Sequence, residues 1–193
     1  MARITIPDQG ARLEDPREIS RFLERFGIWY ERWESTGRVG QDTSADEILA
    51  AYAAEVKELK QRGGYVTADV IDVNPETPGL EAMLDRFNKE HTHSEDEVRF
   101  VVGGRGVFHI HPDGEPVFAI ELEAGDMINV PAGTKHWFDL CAERTIRTIR
   151  LFQDSSGWTP HYVDNGIHGR YIPVCFGPQD IDSDKRIKPA IKL

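Results

Sequence analysis

Two histidines, two glutamates, an aspartate and an arginine are packed into one short stretch of this chain, His91-Thr92-His93-Ser94-Glu95-Asp96-Glu97-Val98-Arg99. In an extended strand successive side chains alternate faces, so His91 and His93 point the same way. After the acidic turn, Glu97 can return toward that face, with Arg99 beside it two residues on. Two imidazoles and a carboxylate converging on a point suit a divalent metal that keeps open positions, such as non-haem Fe(II). The plainer alternative is a wet strand next to an acidic loop. A second His-x-His at His109 and His111 shows that the pattern alone is cheap. That second pair leads into the turn Pro112-Asp113-Gly114, has no glutamate at ligand spacing and reads as barrel wall or surface.

Support for the first cluster lies downstream, where Gly125 is followed by Pro131-Ala132-Gly133 and then His136. The two spacings, His91-x-His93 with Glu97 and Gly104, then Gly125, Pro131, Gly133 and His136, resemble the paired signature motifs of the cupin superfamily. That resemblance implies a small double-sheet β-barrel, or jelly roll, with His91, His93, Glu97 and His136 as four metal ligands. Two positions depart from the general pattern. The leading glycine of the first motif falls at Asp85 and the closing asparagine of the second at Leu140, which affects turns and not ligands.

These motifs must be carried by strands, and the sequence supplies them. Tyr65 to Val73 is rich in β-branched residues and alternates, which predicts a strand. Strands are also expected at Glu97–Val102, at Val107–His111 after the glycine-rich link 103–106, and at Val117–Leu122, Met127–Val130, His136–Leu140 and Thr145–Phe152. Short strands at this pitch, separated by Gly/Pro turns, indicate a sandwich or barrel. On the last strand Ile146, Thr148, Arg150 and Phe152 share a face, so Arg150 looks toward the core and requires a partner, because an unpaired buried charge is expensive. Arg99 shares the face of Glu97. Either arginine can serve as a structural ion-pair donor or hold an anionic ligand, for which a planar guanidinium is suited. Phe138 follows His136 by two residues and can wall the same cavity, while Trp137 points away into packing.

Ahead of the strands the chain reads as a helical lead-in. Asp15-Pro16 opens a run with Ile19, Phe22, Leu23 and Phe26 at helical spacing, closed by Gly27. Ser44-Ala45-Asp46-Glu47 has the form of a capping box before Ile48, Leu49, Tyr52, Val56 and Leu59, and Gly63-Gly64 stops that helix. Residues 78–87 suit a short helix that sets Phe87 just before the histidines. The organisation expected is one domain over 1–193: a lead-in at 1–64, a barrel at 65–176 and a C-terminal tail at 177–193.

Charge narrows the function. With 23 basic against 33 acidic residues the net charge is −10, against the basic face a nucleic acid requires and against attraction to an anionic membrane. No apolar run approaches the ~20 residues of a spanning helix, and the amino terminus lacks the apolar core of a signal peptide. Cys141 and Cys175 lie far apart without metal spacing, so free thiols of a cytoplasmic protein are expected and a cysteine zinc site is not. No phosphate loop or dinucleotide fingerprint is present.

A closer resemblance lies in Phe87-x3-His91-Thr92-His93-x3-Glu97-Val98-Arg99-Phe100, followed by Pro131-x-Gly133-x2-His136-Trp137-Phe138-Asp139. Together with the lead-in bearing Trp29 and Tyr52, this is similar to the acireductone dioxygenase family of methionine salvage. The resemblance covers roughly residues 1–180. It implies a dioxygenase with one Fe(2+) or Ni(2+) per chain, acting on a small-molecule acireductone, 1,2-dihydroxy-3-keto-5-methylthiopentene, and O2. The implied products are 4-methylthio-2-oxobutanoate and formate with iron, and 3-methylthiopropanoate, formate and carbon monoxide with nickel. It further implies that Arg99 and Arg150 flank the substrate dianion and that Phe87 and Phe138 shape the apolar side of its pocket. A monomer is expected. Other readings of the same barrel are a different metal-dependent cupin enzyme, either a dioxygenase or an isomerase, and a non-catalytic cupin that binds a metal or ligand.

Overall fold

The structure, a computed structural model, describes residues 1–154 and 159–176, so the tail expected at 177–193 lies outside the described residues. The chain begins with β1 (Arg3–Ile6) and β2 (Ala11–Leu13), a hairpin that precedes α1 (Pro16–Glu24). Pro16 takes a first helical position, and the Asp15 carboxylate accepts hydrogen bonds from the backbone N–H groups of Arg17 and Glu18 at 2.9 and 3.1 Å. β3 (Trp29–Arg32) follows, then α2 (Ala45–Ala51), whose capping box between Ser44 and Glu47 is formed as the sequence predicts. The single helix expected here is broken at Tyr52, where φ of −110° separates α2 from α3 (Ala53–Gly63). Next come β4 (Thr67–Val73), α4 (Leu80–Phe87), β5 (His91–Thr92), β6 (Glu97–His111), β7 (Phe118–Glu123), β8 (Asp126–Val130), β9 (Lys135–Leu140), β10 (Ile146–Phe152) and β11 (His161–Tyr162).

The strands form two antiparallel layers that share one strand. One layer runs β11-β5-β9-β6-β7-β1-β2, and the other runs β4-β10-β6-β8-β3. Two separate strands were expected around the glycine link at 103–106, yet β6 continues through it. Its first half pairs with β8 and β10 and its second half with β7 and β9. The glycines make that crossing possible. Gly104 has φ of +74°, and a Cβ there would lie 2.1 Å from the Thr145 carbonyl oxygen, while a Cβ on Gly106 would lie 2.2 Å from the Phe138 ring.

Strand alternation decides what faces the interior. On β6, Val98, Phe100 and Val102 pack outward under Ile48, Tyr52 and Leu59 of α2 and α3, with Ile149 and Leu151 of β10. Glu97, Arg99 and Val101 therefore face the space between the layers. That interior is filled by Ile4, Ile19, Leu23, Ile28, Phe108, Ile110, Phe118, Ile120, Ile128, Val130 and Phe138, with α1 closing one end. The lead-in thus also contributes three strands, β1 to β3, that extend the two layers; their shortness hid them from a periodicity argument.

The two cysteines are not free. Cys141 and Cys175 form a disulfide with a Cα–Cα distance of 5.9 Å, across a sequence separation of 34 residues. Spacing carries no signal for such a pair, because it depends on the chain after β11 returning across the outer face of β9. No helix among the described residues is long and apolar enough to cross a membrane.

Candidate metal centre and adjoining cavity

His91 and His93 lie at and just after β5, Glu97 opens β6, and His136 sits on β9 directly opposite His91 in the ladder. One side-chain ligand atom from each falls within 4.8 Å of the other three, and all four residues are buried. Ring centroids are 4.8 Å apart for His91 and His93, 4.6 Å for His91 and His136, and 5.2 Å for His93 and His136. One carboxylate oxygen of Glu97, Oε2, is 2.8 Å from His136 Nε2 and 3.2 Å from His93 Nε2.

Backbone carbonyls fix how these rings present themselves. His91 Nδ1 meets the Lys89 carbonyl at 2.6 Å, His136 Nδ1 meets that of Thr134 at 2.8 Å, and His93 Nδ1 meets that of Thr159 at 3.0 Å. A carbonyl can only accept, so each Nδ1 carries a hydrogen; a neutral ring then offers its Nε2 lone pair to a metal, and the Nε2 atoms of His93 and His136 hydrogen-bond Glu97 only when protonated. Three neutral rings and a carboxylate oxygen brought this close repel one another unless a proton or a metal cation stands between them. The donor set therefore fits a divalent metal, with nitrogen and oxygen ligands of intermediate hardness and no thiolate.

Electrostatics govern which of these groups carries a proton. Burial and the neighbouring His136 push the His91 pKa down to about 4, so it is neutral and available as a ligand. Burial also works against a charged His93, but the hydrogen bond and charge of Glu97 outweigh it and raise its pKa. Burial alone would raise the pKa of Glu97; the Arg99 guanidinium and the hydrogen bonds from His136 and His93 instead hold its carboxyl well below the ordinary value. Arg99 Nε donates to Glu97 Oε1 at 2.5 Å, so one carboxylate oxygen is fixed by arginine and the other is turned to the histidines.

The second motif earns its residues through positioning. Gly133 N–H donates to the His93 carbonyl at 2.9 Å, and Ala132 N–H donates to Asp96 Oδ1 at 3.0 Å, so the loop 131–134 grips the loop 93–96 that carries His93. Gly125, with φ of +96°, would bring a Cβ to 3.0 Å from the Trp33 carbonyl. Asp96 also accepts from the Tyr65 hydroxyl at 3.1 Å, and Glu95 from the Asp154 N–H at 3.1 Å, so both acidic loop residues hold backbone in place.

Phe87, Arg99, Phe138 and Arg150 meet in one cavity beside this cluster, of about 30 Å³ and closed off by Met83 and Leu84 of α4. Arg150 pairs with Arg99 in the β6–β10 ladder and is gripped by Asp69, with Nε to Oδ1 at 2.9 Å and Nη2 to Oδ2 at 2.6 Å. Leu84, Phe138 and Leu140 separate the cavity from an open groove between α4 and β9. His109 and His111 take no part: His109 stacks on Trp137 at 4.8 Å on the outer side of the sheet, and His111 pairs with Glu90. His161 and His168 are not in the cluster either.

Several participants escaped the sequence reading. Thr159 acts through its carbonyl, which no side-chain pattern reveals. Asp69 stands opposite Arg150 in the β4–β10 ladder, visible only once that register is known. Met83 and Leu84, also missed, share a helical face with the expected Phe87 at spacings of four and three, a signal the sequence did carry.

Relatives agree with this geometry. A sequence model of the ARD/ARD′ family matches residues 13–160. The chain belongs to the ARD/ARD′ family. Among curated members, an acireductone dioxygenase of Picosynechococcus sp. is 45% identical over 162 residues, covering 84% of this chain and 92% of that protein. One from Methylococcus capsulatus is 40% identical over 176 residues, covering 89% and 94%. Among solved structures, acireductone dioxygenase from Bacillus anthracis with a cadmium ion in its active centre superposes with a TM-score of 0.80 at 37% identity, covering 84% of this chain and 98% of that one. The cupin jelly roll expected from the motifs is thus the fold of a metal-binding ARD/ARD′ relative.

Proposed function

We propose that this protein is an acireductone dioxygenase that cleaves 1,2-dihydroxy-3-keto-5-methylthiopentene with O2, using one Fe(2+) or Ni(2+) held by His91, His93, Glu97 and His136. The observation that carries the reading is the joining of two features: a buried three-histidine, one-carboxylate cluster and, against it, a cavity with two arginines and an apolar wall. The metal, when bound, supplies Lewis-acid stabilisation of a doubly deprotonated enediol and a site for redox chemistry with O2.

The chain's own residues account for the rest. Arg99 and Arg150 place two guanidinium groups beside the enediol oxygens, favouring the dianion over its protonated forms. Asp69 holds Arg150 in a fixed fork, so its orientation is set before the substrate arrives. Phe87 and Phe138, with Met83 and Leu84, receive the methylthio-bearing chain and exclude water from the reacting carbons. A cavity of about 30 Å³ is too small for that chain. The cavity's wall of Leu84, Phe138 and Leu140 also borders the open groove between α4 and β9, the side from which the substrate would enter.

The same reading takes residues 1–193 as one cupin domain working as a monomer in the cytoplasm. Large apolar side chains exposed among the described residues are Val66, Tyr162, Ile172 and Val174, a small set against the ~800 Å² per partner of a stable interface.

The deciding experiment loads metal-free protein separately with Fe(2+) and Ni(2+), supplies the acireductone anaerobically, then admits O2 and identifies the products. The expected result is formate with 4-methylthio-2-oxobutanoate from iron, and formate, carbon monoxide and 3-methylthiopropanoate from nickel. Substrate loss no faster than without enzyme, with either metal, refutes the activity.

A further inference from the structure

The segment 159–176 crosses the edge of the barrel like a strap and touches the ligand cluster at one end. At its start the Thr159 carbonyl accepts from His93 Nδ1 at 3.0 Å. β11 then pairs with β5, placing Tyr162 opposite His91 and His161 opposite Thr92. Val163 N–H donates to the Glu90 carbonyl at 2.9 Å, and Asn165 hydrogen-bonds the Glu90 carboxylate, which is buried and shared with His111. The strap therefore orients one ligand directly and braces the backbone of another.

Its noncovalent grip beyond that point is thin. It holds a single turn of 3-10 helix at Ile167–Arg170, and Ile172, Pro173 and Val174 are exposed. Tyr171 donates to Asp8 at 2.7 Å, and Phe176 N–H donates to Glu121 at 2.8 Å beneath the Arg12 guanidinium. A segment with so few buried contacts opens locally at little cost. Against this stands one covalent tie, Cys175 to Cys141, and Cys141 directly follows β9, the strand carrying His136 and Phe138. The bond thus joins the segment that caps His93 to the strand that supplies His136. Cys175 lies half-buried between the exposed Val174 and the half-buried Phe176, so it is the more accessible of the two cysteines, whereas Cys141 is buried.

We propose that Cys141–Cys175 is a thiol–disulfide exchange site whose oxidation state sets how firmly the strap caps the ligand cluster and hence how well the metal is retained. The reagents are of dithiol and disulfide class. A dithiol's thiolate attacks Cys175 Sγ and Cys141 leaves as a thiolate that takes up a proton. The dithiol's second sulfur then resolves the mixed disulfide and frees Cys175. Two electrons pass to the cysteine pair and the dithiol ends as a disulfide; a disulfide oxidant reverses the step. Oxidised, the strap is held shut; reduced, it frays from Cys175 back toward Thr159.

The test uses the full-length protein, loaded with Ni(2+), in three forms: oxidised with a small-molecule disulfide, reduced with dithiothreitol that is then removed, and Cys175→Ser. Thiols are counted by alkylation and mass, Ni(2+) release is followed into excess chelator, and hydrogen exchange is read at the Tyr162 and Val163 amides. The reduced protein and Cys175→Ser are expected to release nickel about tenfold faster than the oxidised form, the lower end of what outer-shell partners of ligands contribute. Both should exchange Val163 faster, and Cys175→Ser should not respond to the redox treatments. Two alkylatable thiols persisting after oxidation, or equal release and equal exchange in both states, overturn the proposal. The metal readout rests on His93 being a ligand, but exchange is also read on metal-free protein, so equal Val163 exchange there sinks the strap proposal independently of the assigned activity.

Discussion

Replacing Arg99 by methionine separates what the guanidinium does for the fold from what it does for the substrate. Its Nε lies 2.5 Å from Glu97 Oε1, and the two side chains are 8% and 3% exposed. Removing one partner from a buried pair costs about 3–5 kcal/mol, chiefly because the other charge is stranded; methionine keeps the aliphatic bulk, which favours the lower figure. For a chain of this length each kcal/mol shifts Tm by about 2–4 °C, so metal-free Arg99→Met should melt about 6–12 °C below wild type. Glu97 sets the pH window. A carboxyl whose pKa is depressed in the folded state contributes stability above its ordinary value near 4.5 and loses it as pH falls through the folded value. The deficit should accordingly be full at pH 7 and shrink in acid below pH 4. With Ni(2+) bound the cation faces the same carboxylate and compensates it, so the gap should narrow. A charge-assisted contact to the substrate dianion is worth about 2–3 kcal/mol, which predicts a fall in kcat/KM of about 30- to 150-fold with metal still bound. Thermal unfolding with and without nickel, metal content and steady-state kinetics measure all three. An unchanged melting temperature in the metal-free protein together with unchanged kcat/KM refutes the reasoning, and an equal drop with and without nickel refutes the shared role of Glu97.

His136→Ala removes one of four converging donors and should lose metal and turnover together; full metal content by mass spectrometry in that variant would sink the ligand assignment. Met83→Trp fills the cavity wall from α4 and should raise KM for the acireductone at least tenfold while leaving bound metal unchanged, as kinetics and metal analysis can show. His109, stacked on Trp137, has its pKa pushed down by burial to about 4, against an ordinary 6.5. Its unfolded form therefore binds the extra proton first, and stability is lost as pH falls from 6.5 toward 4. In metal-loaded protein, urea denaturation of His109→Phe should lose about 2 kcal/mol less than wild type between pH 7 and pH 5. An identical loss in both would show that His109 is not the titrating group.

The convergence of His91, His93, Glu97 and His136 was legible because that chemistry demands particular side chains at fixed spacing, and strand alternation then places Glu97, Arg99 and Phe138 on the inward face. The continuity of β6 was not, since Gly103-Gly104-Arg105-Gly106 reads locally as a turn and becomes a crossing only when Thr145 and Phe138 press against it. The disulfide was missed for a related reason. Free thiols follow from spacing and compartment, whereas the bond follows from where the chain after β11 returns. Thr159 illustrates the general limit. Its contribution is a carbonyl, common to every residue, and only tertiary placement makes it matter to His93.

A strand common to both layers has a consequence for how the protein comes apart. Neither layer can detach while the other persists, because β6 supplies the central ladder of each. Denaturation of the barrel should therefore be a single all-or-none event. The strap is the exception, attached at the rim and free to breathe without disturbing that ladder. One polypeptide thus combines a frame that yields only as a whole with a margin that responds to small changes in its surroundings.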